Sequence, residues 1–258
     1  MEMNQLFNLE NKTAIITGGG KGLGVQMAHA LAEAGANIVL CSRNLEVCER
    51  ACEELKGIGV KTLALKCDIT KSKDIEHVVN ETIRKFDSVD ILINNSGTSW
   101  IAPFLELPEE KWDKVMAVNV KGAFLFSQAV TKEMIKQGGG KIINIASVTG
   151  FGGTPPKLLD TIAYNTSKGA LMTFTKDLAV KLAPHHIQVN AIAPGFFPTK
   201  MTEKVLSDMN KAIVRNIPAG RFGNEEDLKG AALFLASKAS NYVTGHVLVV
   251  DGGITALV

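Results

Sequence analysis

The sequence predicts an α/β fold in which helices cover both faces of a single doubly wound parallel sheet of about seven strands. Short apolar runs alternate with longer amphipathic segments along all 258 residues. Most of these runs are continuously apolar and rich in Ile and Val, as expected for strands that are covered on both faces. The chain has no Pro/Ser-rich linker and no repeat of fixed period, so residues 1–258 are predicted to form one domain.

Seven apolar runs are predicted strands, in chain order 13–17, 37–42, 62–67, 90–93, 141–146, 187–193 and 246–250. The segments predicted to be helices are 25–34, 45–56, 75–86, 110–137 and 166–183. Two stretches interrupt the alternation, at about 150–161 and 195–217. Both follow the carboxyl ends of predicted strands, where open α/β sheets bind ligands. We therefore expect these two stretches to be substrate loops.

The composition excludes some classes of partner. The chain has 28 Lys+Arg and 26 Asp+Glu, a net charge of +2, which is unlike a protein that binds nucleic acid or an anionic membrane. The hydrophobic fraction of 46 % is sufficient for a large core. No apolar run approaches the ~18 residues of a membrane span, and the first residues do not resemble a secretory signal. The expectation is a soluble, cytoplasmic protein.

The cysteines lie in the first part of the chain, at Cys41, Cys48, Cys52 and Cys67. Their spacing fits neither a disulfide framework nor a paired CxxC zinc site. Cys48 and Cys52 are four residues apart on a predicted helix and could form half of a metal site. The preferred interpretation is that all of them are reduced thiols packed in the core, with no metal bound.

The first predicted strand ends in a glycine-rich turn, Thr17-Gly18-Gly19-Gly20-Lys21-Gly22-Leu23-Gly24, and continues into a helix. Glycines allow a sharp turn and a close approach of the backbone to a pyrophosphate. The unpaired amides at the start of the helix carry positive partial charge. Glycines also occur in ordinary turns, but a strand before the turn and a helix after it predict a dinucleotide site of the Rossmann type.

The spacing T-G-x-x-x-G-x-G resembles that of the short-chain dehydrogenase/reductase family. Further motifs of that family follow in the same order: Asp68-Ile69, Asn94-Asn95-Ser96-Gly97 with Ser in place of Ala, Asn119, Ser147, Tyr164-x-x-x-Lys168, Pro194-Gly195 and Asp251-Gly252-Gly253. The resemblance covers essentially the whole chain. Its closest branch contains 3-oxoacyl-thioester reductases and gluconate 5-dehydrogenase-like enzymes. It implies an oxidoreductase that interconverts a ketone and a secondary alcohol with a nicotinamide nucleotide.

The resemblance also implies which residues bind the nucleotide. They are Gly18, Gly20, Lys21, Gly22, Leu23, Ser42, Arg43, Asp68, Ile69, Asn95, Ser96, Gly97, Tyr164, Lys168, Pro194, Gly195, Phe197 and Thr199. An acidic residue at the end of the second strand would hold the ribose 2′-hydroxyl of NAD, whereas a cation accommodates the 2′-phosphate of NADP. This chain has Ser42-Arg43-Asn44 there and Lys21 in the glycine turn, so NADP(H) is predicted in preference to NAD(H).

The residues that the resemblance implies are catalytic are Asn119, Ser147, Tyr164 and Lys168. Lys168 follows Tyr164 by four residues, so both project from one face of a helix. A tyrosine with a pKa near 10 is a poor base at neutral pH. The charges of the Lys168 ammonium and of oxidised nicotinamide are expected to lower that pKa. Ser147 is expected to stabilise the substrate oxygen, and the resemblance assigns Asn119 to a water-mediated proton relay.

The substrate is less well determined by the sequence. Ser147, Tyr164, Trp100 and Phe151 are the predicted substrate-binding residues. The interval from Ser147 to Tyr164 is 17 positions, longer than in many members of the family, so the loop around 154–157 is predicted to be extended. A sugar acid or polyol and a 3-oxoacyl thioester both remain open. A catalytically silent NADP(H)-binding sensor or scaffold protein is the alternative from another class.

Expected partners are a small carbonyl or alcohol substrate and further copies of the chain. The family commonly forms homotetramers, with a homodimer as the other option, through the predicted helices 110–137 and 166–183 and the region after Gly223. A metal-dependent dehydrogenase is disfavoured because no Cys/His cluster lies near the motifs.

Overall fold

The computed structural model describes residues 2–198 and 213–257. Seven parallel strands form one sheet in the order β3-β2-β1-β4-β5-β6-β7, which confirms the predicted α/β class. The strands are β1 Thr13–Thr17, β2 Asn37–Ser42, β3 Thr62–Lys66, β4 Ile91–Asn94, β5 Gly140–Ile145, β6 Ile187–Pro194 and β7 Val247–Val250. The strand order reverses between β1 and β4, and this switch point is where such sheets bind ligands.

The helices lie between these strands, and several are longer than predicted. They are α1 Met3–Phe7, α2 Leu23–Glu33, α3 Leu45–Lys56, α4 Ser72–Phe86, α5 Glu109–Met116, α6 Gly122–Lys136, α7 Ile162–Leu182 and α8 Lys229–Ala236. The helix predicted over 110–137 is divided into α5 and α6 by a π-helical turn, Ala117–Lys121. Helix α7 begins four residues before the predicted start at 166, so Tyr164 lies in its first turn.

The central strands are mainly apolar because their two faces pack against different helices. Ile15 belongs to the apolar cluster that includes Phe126 of α6, whereas its neighbour Ile16 belongs to the cluster that includes Met27 of α2 and Leu55 of α3. All five of these side chains are fully buried. The sheet edges differ: every residue of β7 is only half-buried in the described chain. The apolar side chains of β7 are therefore only partly covered by the rest of the described chain.

A buried polar network joins the elements that carry the functional motifs. Asn94 of β4 donates to Asn144 of β5 at 2.9 Å and to Ser127 of α6 at 3.0 Å. Asn144 in turn donates to Thr175 of α7 at 2.9 Å. Asn94 was placed in the nucleotide motif by sequence, but its side chain lies inside the core. We infer that it holds β4, β5, α6 and α7 together beneath the site.

Lys141 is expected to destabilise the fold at neutral pH. Burial lowers its pKa from 10.5 to about 8, and its Nζ donates only to neutral acceptors, Ser240 Oγ at 3.2 Å and Asn241 Oδ1 at 2.9 Å. The lowered pKa corresponds to about 3 kcal/mol, and the two hydrogen bonds offset about 1 kcal/mol each. We expect Lys141→Met to raise the free energy of unfolding at pH 7 by about 1 kcal/mol.

The pH dependence gives the sign of this prediction. Between pH 8 and 10.5 the unfolded chain binds the Lys141 proton more tightly than the folded chain does, so the stability of the parent protein rises with pH in that window. Urea unfolding at pH 7 and pH 10 should show the advantage of Lys141→Met shrinking at the higher pH. The exposed Lys238 provides the control, Lys238→Met. A Lys141→Met protein that is less stable at both pH values would contradict the argument.

Candidate active site

A cavity of 1130 Å³ opens at the carboxyl ends of the strands, around the switch point between β1 and β4. Every described residue that the sequence assigned to the nucleotide lines it: Gly18, Gly20, Lys21, Gly22, Leu23, Ser42, Arg43, Asp68, Ile69, Asn95, Ser96, Gly97, Tyr164, Lys168, Pro194, Gly195 and Phe197. Thr199 lies outside the described residues. The fold thus brings these sequence motifs to one cavity.

The glycine turn is shaped by close backbone contacts. Gly18 and Gly22 have φ angles of +64° and +56°, in the left-handed region that favours glycine. A Cβ on Gly24 would lie 2.6 Å from Asn95 Nδ2. The side-chain Nδ2 of Asn95 donates to Thr17 O at 2.9 Å, and this bond connects the glycine turn to the end of β4. These contacts hold the first amides of α2, which have no acceptor within the helix, at the cavity wall.

Two cations line the cavity near the end of β2. Arg43 and Lys21 are both exposed and both contribute to its wall. Ser42 Oγ donates to Asn44 O at 2.8 Å, and Asn44 Oδ1 accepts from the amide of Val47 and caps α3. The three residues that end β2, Ser42-Arg43-Asn44, include no carboxylate. The end of β2 therefore contributes a cation and no carboxylate to the wall.

Ser147, Tyr164 and Lys168 meet at the part of the cavity wall formed by β5 and α7. Lys168 is 4 % exposed, and its Nζ donates to Ile145 O at 2.6 Å. The same Nζ lies 5.4 Å from the centre of the Tyr164 ring. The Ser147 side chain lies close enough to the Tyr164 hydroxyl to favour its ionised form. The two α7 residues lie one turn apart on the same face, as the spacing predicted.

Known proteins resemble this chain over its whole length. A family model described as enoyl-(acyl carrier protein) reductase matches residues 18–255. The 5-keto-D-gluconate 5-reductase of Escherichia coli (strain K12) is 40 % identical over 99 % of this chain and all of that protein. The NAD-dependent glycerol dehydrogenase of Listeria innocua is 40 % identical over 96 % of each chain.

A solved structure agrees in fold as well. The gluconate 5-dehydrogenase from Burkholderia cenocepacia, in complex with NADP and tartrate, superposes with a TM-score of 0.94 at 36 % identity and full coverage of both chains. The chain belongs to the short-chain dehydrogenase/reductase family. It is an oxidoreductase of that family.

Burial strongly affects the two titratable groups at the Tyr164 end of this dehydrogenase's cavity. It raises the pKa of Tyr164, and the neighbouring Ser147 side chain offsets part of that rise. It also lowers the pKa of Lys168 to about 8. Any lowering of the Tyr164 pKa by positive charge must therefore outweigh the desolvation of the phenolate.

Asn119 lies in the π-helical turn rather than in a regular helix. Its Oδ1 accepts from the amide of Thr98 at 2.8 Å, and its Nδ2 donates to Thr98 O at 2.9 Å and to Ser167 Oγ at 2.8 Å. The side chain is 2 % exposed and does not line the cavity. It therefore links the segment after β4 to α7. Its partner Thr98 directly follows Gly97, and its partner Ser167 directly precedes Lys168.

The two predicted aromatic residues are placed away from the others. Trp100 is 41 % exposed and lies under the Nζ of Lys111, 4.6 Å from its ring centre. Phe151 is 52 % exposed. Neither lines the cavity in the described chain, whereas Ser147 and Tyr164 both do. Their role in substrate binding remains a prediction.

Sequence reasoning missed one polar contact of Ser147. Thr149 Oγ1 donates to Ser147 Oγ at 3.0 Å, and the Thr149 amide approaches the same oxygen at 3.3 Å. Because Ser147 Oγ accepts both, its own proton is free to be donated elsewhere. A serine that follows a strand often accepts from the backbone amide two residues later, and this turn pattern could have indicated the contact with the Thr149 amide.

No helix among the described residues is both long and apolar enough to cross a bilayer. The described residues also contain no group of three or more His, Cys, Asp or Glu side chains arranged to hold a metal ion. The cysteines Cys41, Cys48, Cys52 and Cys67 are all buried and free.

Proposed function

We propose that the protein is an NADP(H)-dependent oxidoreductase that interconverts a ketone and a secondary alcohol on a sugar acid or polyol. The observation that carries this proposal is one cavity that joins Ser147, Tyr164 and Lys168 to the glycine turn and to the cations Lys21 and Arg43. Its volume of 1130 Å³ is slightly above the roughly 300–1,000 Å³ of small-ligand sites, which suits an extended dinucleotide.

The residues of the cavity fit a nicotinamide dinucleotide. The amides at the start of α2 suit a pyrophosphate, and Asp68 and Ile69 line the wall beyond β3 where the family holds adenine. Pro194 and Gly195, at the end of β6, also line the wall. Gly195 packs so closely that a Cβ there would lie 2.8 Å from Asp251. When bound, the nucleotide supplies the hydride for reduction or accepts it in oxidation.

Tyr164 is the proposed acid and base of the reaction. In the direction of reduction its phenol donates a proton to the carbonyl oxygen, and in the direction of oxidation its phenolate accepts that proton from the alcohol. Ser147 accepts from Thr149 and donates to the same substrate oxygen, which stabilises the charge that develops there. The Lys168 ammonium stabilises the phenolate, and Asn119 is proposed to support proton transfer toward Lys168.

Arg43→Ala is expected to weaken NADP(H) binding about tenfold or more and to leave NAD(H) binding within about twofold. A guanidinium forms a bidentate, charge-assisted pair with the 2′-phosphate of NADP(H). NAD(H) has no 2′-phosphate, so the substitution removes no such pair from it. Dissociation constants for all four nucleotides, measured by titration of NAD(P)H fluorescence or by calorimetry, check this. Arg50, which is exposed on α3, provides the control Arg50→Ala.

Equal weakening of both nucleotides by Arg43→Ala would remove the basis for an NADP preference. The comparison with relatives leaves this choice open, since a relative at 40 % identity is named NAD-dependent. The preference therefore rests on the local cations Lys21 and Arg43.

The substrate proposal rests on the named relatives, a 5-keto-D-gluconate 5-reductase and a gluconate 5-dehydrogenase. A 3-oxoacyl thioester is the second candidate. A relative named 3-oxoacyl-[acyl-carrier-protein] reductase, 36 % identical over 95 % of this chain, supports it. Initial rates with 5-keto-D-gluconate, acetoacetyl-CoA and a hydrophobic ketone, each with NADPH, decide between them. A sugar-acid enzyme requires hydroxyls and a carboxylate; an acyl-thioester enzyme tolerates long apolar chains.

The remaining parts of the proposal concern organisation. We propose one domain over residues 1–258, with substrate loops at about 150–161 and 195–217, and a homotetramer or homodimer; residues 199–212 of the second loop lie outside the described residues. The half-buried strand β7 and the fully exposed Tyr242 just before it support an assembly through this edge. Light scattering measures the state directly. The free, buried cysteines support a reducing, cytoplasmic setting.

A further inference from the structure

The loop before α7 is attached to a helix residue that directly follows Tyr164. Asn165 Nδ2 donates to Thr154 Oγ1 at 2.9 Å, and Asn165 Oδ1 accepts from Thr161 Oγ1 at 3.1 Å. One carboxamide therefore connects the early part of the loop to its last residue before the helix. We call loop 151–161 the α7 loop.

The α7 loop is ordered further by its own contacts. Thr154 Oγ1 donates to Leu159 O at 2.8 Å, and the amides of Leu158 and Leu159 both bond to Pro155 O, at 2.8 and 3.0 Å. Leu158 also packs against the buried cluster of Ile213 and Ile217. The amide of Ala102, in the segment after β4, donates to Asp160 O at 3.1 Å. Asn165 thus anchors a loop that lies between Ser147 and Tyr164 in the chain and contacts the segment after β4.

We propose that Asn165 is a positioning residue that holds the α7 loop in the shape that binds the carbonyl substrate. The proposal deepens the proposed function and rests on it: no residue of 151–161 lines the described cavity, and the α7 loop is taken as a substrate wall because it connects Ser147 to Tyr164. An unrestrained loop must be ordered when substrate binds, and this conformational entropy weakens binding. Asn165 acts through the loop, so its loss raises KM for the carbonyl substrate and leaves the chemistry at Tyr164 in place.

The hydrogen-bond pattern requires an amide at this position. The proton of Thr154 is given to Leu159 O, so Thr154 Oγ1 can only accept from its other neighbour. The Asn165 NH₂ supplies that donor, and its oxygen receives the Thr161 hydroxyl. An aspartate at position 165 has no proton to donate to Thr154 Oγ1, so two acceptors would face each other there. A leucine has a similar size but makes neither hydrogen bond.

The kinetic test compares Asn165→Leu and Thr154→Val with the parent enzyme. Each is expected to raise KM for 5-keto-D-gluconate about tenfold and to change kcat and KM for NADPH by less than about twofold. Because both remove the same contact, the double variant should be no worse than either single one. Thr154→Ser keeps the hydroxyl and should keep the parent values. Thr166→Ala, at the exposed next position on α7, is the control.

A second readout does not depend on turnover. Lys157 is exposed within the α7 loop, so trypsin can cleave after it once the loop opens. Cleavage at Lys157, followed by mass spectrometry of the native protein, should be several-fold faster in Asn165→Leu and Thr154→Val and unchanged in Thr154→Ser and Thr166→Ala. Unchanged cleavage in Asn165→Leu would overturn the proposed anchor.

The two readouts separate the two proposals. Faster cleavage with an unchanged KM for substrate, or a fall in kcat with no change in KM, would overturn the positioning role. If the parent enzyme reduces none of the three carbonyl compounds, the proposed function fails. In that case the rate of cleavage at Lys157 still supports or overturns the anchor.

Discussion

Tyr164→Phe is expected to lower kcat by about a thousandfold, within the range of 10²–10⁴ attributed to general acid–base catalysis, while NADPH binding stays within about twofold. The change removes only the phenolic oxygen, which lies beside Ser147. The ring that packs beside Lys168 Nζ remains. Reduction then has no acid at the carbonyl oxygen, since Ser147 stabilises charge there but is a much weaker acid. Steady-state kinetics and a fluorescence titration with NADPH measure the two quantities.

The chain offers a matched control for this experiment. It contains two tyrosines, and the other one, Tyr242, is fully exposed outside the cavity. Tyr242→Phe should leave both kcat and NADPH binding unchanged. Undiminished turnover in Tyr164→Phe would refute the mechanism. A parent protein that binds NADPH tightly but reduces none of the three carbonyl compounds would instead favour the sensor or scaffold alternative.

The sheet could be predicted from the sequence because its signal is local. Each central strand is covered on both faces, so neighbours such as Ile15 and Ile16 are both fully buried although they face opposite sides. Two-sided burial produces a continuous apolar run, which alternation with helical segments then identifies as a parallel strand. The predicted strands lie within one residue of the observed bounds at each end.

The parts that the sequence did not predict depend on contacts between distant residues. The π-helical turn is where Asn119 bonds to Thr98 and Ser167, which are 21 and 48 positions away. Periodicity reports only neighbours within a few turns, so 110–137 resembled one helix. The position of Trp100 was likewise not predictable, because a cation–π contact with Lys111 and partial exposure have no local signature.

Lys168→Met is expected to lower kcat by about 10²–10⁴-fold and, unlike Tyr164→Phe, to weaken NADP(H) binding as well. Lys168 is 4 % exposed, and its amine is the positive charge beside Tyr164, whose phenolate is costly to desolvate. By the family resemblance the same amine holds the nicotinamide ribose. The exposed Lys176, two turns further along α7, provides the control Lys176→Met.

The pH dependence of reduction distinguishes this role from a structural one. Burial sets the pKa of Lys168 at about 8, so its ammonium is lost as the pH rises through that value. Tyr164, whose pKa burial raises, stays protonated there but loses the charge that stabilises its phenolate. The rate of ketone reduction by the parent enzyme should therefore fall above about pH 8. In Lys168→Met the residual rate should lack that fall, because no group beside Tyr164 loses charge in the window. A parent profile that is flat from pH 7 to 9.5, or an identical alkaline fall in Lys168→Met, would assign the lysine to nucleotide binding alone.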